Sequence, residues 1–176
     1  MTVKQIISGT EAKKIGHLNE QYICNWLNTQ TSGHVVDGKS KTKQDIINEN
    51  TGISYSLKSA KSKNTQCHLT STKKWCDFFN ISSDLRVWFD SFFGIPGEDV
   101  SNGQSRYHRL TKSQIDDDLN ENAIIWFNQN KIPIFDVIVH RGMNNTPVDY
   151  LIWFDKVTNN IDIHPIENIR NLVYNG

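Results

Sequence analysis

The sequence predicts a single α/β domain over residues 1–176, with a central mixed β-sheet flanked by helices. Three observations lead there. Residues Thr10 to Leu27 place Ala12, Gly16, Ile23 and Leu27 on one face at 100° per residue, the period of a helix. Ile53 to Lys58 alternates with period two, as a strand does. The elements then follow in the order helix, hairpin, mixed middle, helix, strands, helix, which builds most simply around one sheet. A chain of 176 residues suits one domain, and 37% hydrophobic with 22% charged residues is an ordinary globular composition.

Taken in order, Gly9-Thr10 supplies a start signal for the first helix. Glu20 lies at the edge of its apolar face, where a carboxylate is costly without a partner. Gly33 to Lys43 reads as a basic loop, and Asp45-Ile46-Ile47 as a short strand. Asn48 to Gly52 is turn chemistry. Beyond it Ile53, Tyr55 and Leu57 share one strand face, and Ser54, Ser56 and Lys58 the other. A hairpin folded near Asn50-Thr51 sets Asp45 opposite Ser56, with Lys58 two residues further along the same face.

Ser59 to Thr72 is polar, and Lys73 to Asn80 reads as a helix or helical turn. Asp84 to Phe93 is apolar-rich, and Gly94 to Gly103 is a loop. Thr111 is placed to cap a long helix reaching Asn128. Asp116, Asp117 and Asp118 near its start complement the helix dipole and point in different directions, unlike a metal cluster. Pro133 precedes an expected strand, Ile134 to His140, and Val148 to Phe154 follows as a second. Ile161 to Ile163 makes a third, and a short helix starts at about Pro165.

No apolar run approaches the ~20 residues of a membrane span. Met1 to Lys14 has no apolar signal core, so a cytoplasmic location is expected. Cys24, Cys67 and Cys76 form neither a disulfide framework nor a CxxC zinc pair. Nineteen basic residues balance nineteen acidic ones, which argues against coating nucleic acid indiscriminately. Yet Lys39 to Lys74 holds eight lysines against only Asp45 and Glu49. On charge alone that is a solvated face; a phosphate-binding groove is the functional alternative.

Phosphodiester hydrolysis needs carboxylates to hold a metal, a lysine near it to position or deprotonate water, and stabilisation of the leaving oxygen. An Asp near a strand turn and a Lys on the returning strand bring the first two together. Lys41-Thr42-Lys43-Gln44-Asp45-Ile46 followed by Ile53-Ser54-Tyr55-Ser56-Leu57-Lys58-Ser59 resembles the active-site hairpin of the PD-(D/E)xK restriction endonucleases. Gly16-His17-Leu18-Asn19-Glu20 resembles a helix glutamate of the same superfamily. The resemblance covers about residues 10 to 70.

It implies that Asp45 binds metal, Lys58 is the catalytic lysine, Glu20 is an auxiliary ligand, and the Leu57 carbonyl a further one. The motif's second acid is Ser56 here, so Glu20, and after it Asp77, is the expected replacement. The implied activity is Mg²⁺-dependent type II cleavage of double-stranded DNA at a short site, leaving a 5′-phosphate. A homodimer on a palindrome is implied as well, with no nucleotide cofactor and no membrane partner. A homing endonuclease or Holliday-junction resolvase of the same fold is the enzymatic alternative. A non-catalytic DNA-binding module on a nuclease-like scaffold is the other.

Lys39, Lys41, Lys61, Lys63 and Asn64 are expected to meet DNA, the lysines through phosphates. His140-Arg141 opens a loop with Asn144 and Asn145, and Ser105 to Arg109 forms another. Arg and Asn read guanine and adenine edges, so Arg106, Arg109, Arg141 and Asn144 are recognition candidates, although each taken singly is an ordinary loop residue. His68 beside Cys67 reads as structural. Trp75, Trp88, Trp126 and Trp153 read as core.

Overall fold

The computed structural model describes residues 9–38, 42–60, 72–93, 95–96, 107–108 and 116–175. The chain groups into two compact units, Met1–Gln66 with Phe135–Gly176, and Cys67–Ile134. The architecture is mixed α/β, as expected, with a five-stranded sheet in the order β1 (His34–Val36), β2 (Ile46–Asn48), β3 (Ser54–Ala60), β6 (Tyr150–Asp155), β7 (Ile161–Pro165).

In the first unit, α1 (Gly9–Gln30) buries Ile23, Cys24 and Leu27 along one stripe. It ends at a polar turn where Gly33 adopts φ +99°, and a Cβ there would collide with the Asn50 side chain. Only glycine serves this turn. Asn28, in the last helical turn, then brackets the next residue to pair. Its Nδ2 donates to the His34 carbonyl at 2.8 Å, and its Oδ1 accepts from His34 N at 2.8 Å. The helix end thereby fixes the start of β1 (His34–Val36), a strand inside the segment expected to be loop. Three residues are too few for alternation to show in sequence.

β2 (Ile46–Asn48) and β3 (Ser54–Ala60) form the expected hairpin, pairing Ile46 with Tyr55 and Ile47 with Ser54. The Asn48 side chain builds the turn, its Oδ1 accepting from Asn50 N and Thr51 N at 3.0 and 3.1 Å. β3 pairs on its other edge with β6 (Tyr150–Asp155), in parallel, and β6 pairs antiparallel with β7 (Ile161–Pro165). α6 (Ile166–Asn175) follows directly.

A central strand is covered on both faces, and β3 behaves so. Tyr55 and Leu57 pack on the main core of Ile23, Cys24, Leu27, Ile46, Ile152 and Phe154. Ser54 and Ser56, on the opposite face, are nonetheless buried. A smaller core joins Phe135, Val148 and Ile166. Truncating Ile23 or Ile152, both fully buried, to Ala should cost about 2–5 kcal/mol.

One expected strand is absent. Ile134 to His140 is helical: α5 (Lys131–Phe135) runs into a π-helical turn (Asp136–His140). The β-branched run imitates a strand, but Pro133 sits in the first turn of α5, where its missing N–H costs no helical bond. The buried Asp136 carboxylate in that turn lies against His140, Arg141 and, from α6, Arg170.

The second unit is largely helical. α2 (Thr72–Phe79) matches expectation, and the apolar run after it is helix α3 (Ser83–Phe93). A short pair, β4 (Ile95–Pro96) with β5 (Tyr107–His108), follows. α4 (Asp117–Gln129) is capped by Asp116, whose carboxylate accepts from Asp118 N and Leu119 N. Thr111 lies outside the described residues. Trp75 and Trp88 are buried as expected; Trp126 is half-buried but meets Phe79 and Phe89 edge-on. Trp153, on β6 of the first unit, is also half-buried.

Candidate active site

The hairpin register sets Asp45 across from Ser56, because Ile46 pairs with Tyr55. Asp45 N also donates to the Tyr55 carbonyl at 2.8 Å, which extends the ladder by one residue. The Asp45 side chain folds onto β3. Its Oδ2 accepts from Leu57 N at 2.6 Å and from Ser56 Oγ at 3.2 Å. Lys58 returns from further along the strand, with Nζ 3.4 Å from Ser56 Oγ and 3.4 Å from the Leu57 carbonyl. Asp45 and Lys58 therefore meet through the Ser56 hydroxyl, which can donate to one and accept from the other.

Burial pushes the Asp45 carboxyl above its ordinary range. The Lys58 ammonium and the Leu57 N–H pull it down, Glu20 pushes it up, and the Ser56 hydroxyl pulls it down. Desolvation wins, so the ionised form is held at a cost. Both bonds to the carboxylate fall on Oδ2. Among the described residues none falls on Oδ1, which leaves that oxygen as a donor atom.

Glu20 reaches Asp45 through space rather than by a bond. Its Oε2 lies 3.1 Å from His17 Nδ1 on the same helix. The neighbouring Asn19 ties α1 to the site strand, donating to Ser59 Oγ at 3.2 Å. Asp77, the second choice of acid, lies in the helical unit and is held at 2.7 Å by Lys73, one turn away on α2. That contact lowers its carboxyl below the ordinary range.

Asp45 Oδ1, the Leu57 carbonyl and, acting through space, the Glu20 carboxylate are all oxygen groups, the kind that suits a hard cation. Among the described residues no three His, Cys, Asp or Glu side chains gather as a metal site.

The loop after the π-turn is docked onto the residues leading into Asp45. Lys43 N donates to Thr146 Oγ1 at 3.1 Å, Lys43 Nζ to the Ile138 carbonyl at 2.7 Å, and Gln44 Nε2 to the Pro147 carbonyl at 3.0 Å. Arg141 and Asn144 belong to this loop. Arg141 NH1 lies 3.4 Å from Asn145 Oδ1 and NH2 lies 3.5 Å from Asp136 Oδ2, so it is held on its inner side. Asp136 and Arg170, which completes the ion-pair group, went unnoticed in sequence. The i,i+4 spacing of Asp136 and His140 was the one local signal available. Lys39, Lys41, Lys61, Lys63, Asn64, Arg106 and Arg109 lie outside the described residues, as do Cys67 and His68.

No helix among the described residues is long and apolar enough to cross a membrane. No protein-family model matches this chain, and no curated protein matches it.

Proposed function

We propose that this chain is a Mg²⁺-dependent nuclease of the PD-(D/E)xK kind, cutting double-stranded DNA at a short specific site in the cytoplasm, as a homodimer. The observation that carries this reading is the convergence of Asp45 and Lys58 on the Ser56 hydroxyl, on one hairpin. Asp45 Oδ1 and the Leu57 carbonyl would hold the ion, with the charge of Glu20 adding to the field. The bound ion would neutralise the phosphate and make its attacking water more acidic.

The protein's own groups do the rest. Lys58, steered by the Leu57 carbonyl and Ser56 Oγ, presents N–H donors to the water and to the oxygens on which charge develops. Ser56 takes the place of the acid usual at its position and keeps Asp45 oriented. Burial holds the half-buried Asp45 carboxyl above its ordinary range, a setting in which a bound divalent ion would favour the ionised form. Ser56 also favours the second reading, a DNA-binding module without catalysis.

Incubation with plasmid or phage DNA and Mg²⁺, followed by sequencing of fragment ends, tests the proposal. Discrete fragments with 5′-phosphates are expected. A smear would indicate a non-specific nuclease, and preferential cutting of four-way junctions a resolvase. Binding of duplex without any metal-dependent cleavage would leave the non-catalytic reading.

A further inference from the structure

We infer that Arg141 and Arg170, tethered by the buried Asp136, form a phosphate-binding clamp separate from the Asp45–Lys58 hairpin. Asp136 lies in the π-helical turn, a wide turn often found at functional sites, with its side chain 9% exposed. Three cationic or ionisable groups converge on it. His140 Nδ1 is 3.2 Å and Arg170 Nε 3.4 Å from Oδ1, and Arg141 NH2 is 3.5 Å from Oδ2. Two permanent positive charges thus share one negative charge. Lys43 Nζ donates to the carbonyl of Ile138 in the same turn, at 2.7 Å. Glu167, one turn before Arg170 on α6, makes no ion pair with it.

The donor geometry points outward. A guanidinium carries five N–H donors in a rigid fork. Asp136 engages each arginine through one nitrogen, and at Arg170 that nitrogen is the buried Nε, which lacks the alignment of a hydrogen bond. The terminal nitrogens of Arg170 have no partner among the described residues. Both side chains stay open to solvent, 43% exposed for Arg141 and 38% for Arg170. The Arg170 fork, anchored at its inner nitrogen with its terminal nitrogens outward, suits the oxygens of a tetrahedral phosphate. Arg141, whose NH1 and NH2 lie 3.4 Å from Asn145 Oδ1 and 3.5 Å from Asp136 Oδ2, adds its charge from the other side of Asp136.

The ligand class is a phosphodiester of the DNA backbone, an assignment that rests on the nuclease reading. It gives Arg141 a phosphate to hold rather than a base to read. Because the loop is bonded to Lys43 and Gln44, the clamp is coupled in register to the strand carrying Asp45.

The test uses inorganic phosphate as probe and the Arg Nε–H and His140 ring signals in NMR as readout. Saturable shifts of Arg141, Arg170 and His140 with phosphate, absent with chloride at equal ionic strength, are expected. Arg170→Gln should abolish them, and should reduce the salt dependence of duplex binding, measured in Ca²⁺, by about one unit of slope. If the wild-type signals do not respond to phosphate, the clamp is refuted, whether or not the variant folds. An unchanged salt slope in a folded Arg170→Gln protein refutes its role on DNA. Phosphate-dependent shifts in a protein that never cuts DNA keep the anion site and overturn the nuclease proposal instead.

Discussion

Ser56 Oγ lies 3.2 Å from Asp45 Oδ2, across a hairpin whose two residues stand eleven apart in sequence. Ser56 is fully buried, and Lys58 Nζ lies 3.4 Å from the same hydroxyl. Replacing Ser56 by Ala removes the shared group and leaves Asp45 one donor fewer. The Asp45 carboxyl should move further up, and the acid limb of a pH–rate profile should move up with it. A profile that overlays wild type would show that the hydroxyl does not tune Asp45.

Asp45→Ala and Lys58→Ala should each lower cleavage by roughly 10²-fold or more with the far-UV spectrum unchanged, the usual cost of losing a ligand or a proton-handling group. Near wild-type cutting by either folded variant would move the chemistry elsewhere.

Glu20→Gln should raise the Mg²⁺ concentration needed for half-maximal rate, since a negative charge facing Asp45 is lost. Asp77→Asn should leave that concentration unchanged, because Asp77 is already satisfied by Lys73. A shift in the second variant and none in the first would exchange their roles.

Stability should report the strain on Asp45 directly. Its folded carboxyl sits above the ordinary range, mainly through burial. Such a group supports the fold fully below the unfolded carboxylate pKa, and that support is lost as pH rises through the folded value. At neutral pH without metal, Asp45→Asn should therefore melt above wild type. Mg²⁺ should raise the wild-type midpoint and leave the variant's where it was. The opposite order of midpoints would mean that the ionised carboxylate is well compensated.

Gly142 adopts φ +66°, and a Cβ there would come within 3.0 Å of Lys43 Cγ. Gly142→Ala should cost about 1–2 kcal/mol from the left-handed backbone alone. Denaturant midpoints measure this, and a neutral result would show that the loop relaxes freely.

The hairpin was legible because its signals are local. Period-two alternation, an Asn-rich turn and an aspartate just before two isoleucines define pairing within a dozen residues. The register across it, Asp45 to Ser56, follows from the turn. β1 was not legible, because its boundaries depend on Asn28 bonding His34 rather than on any pattern of its own. Helix α3 carried Leu85, Trp88 and Phe89 at helical spacing, obscured by aromatic content that strands share. The segment Ile134 to His140 misled because propensity favoured a strand. One partner of the turn, Arg170, which faces Asp136, comes from a distant helix and leaves no local signal.

The pairing of β3 with β6 has a consequence for how the chain is made. Ser54 and Asp149, bonded at the start of that pairing, are 95 residues apart. The β2–β3 hairpin can close as soon as it leaves the ribosome, yet its far edge stays bare until β6 emerges, roughly 5–20 s later at ~5–20 residues per second. During that interval β3 is an open edge, the feature most prone to pair with a neighbouring chain. Lys58, within that edge, carries a charge of the kind that discourages such pairing while synthesis continues.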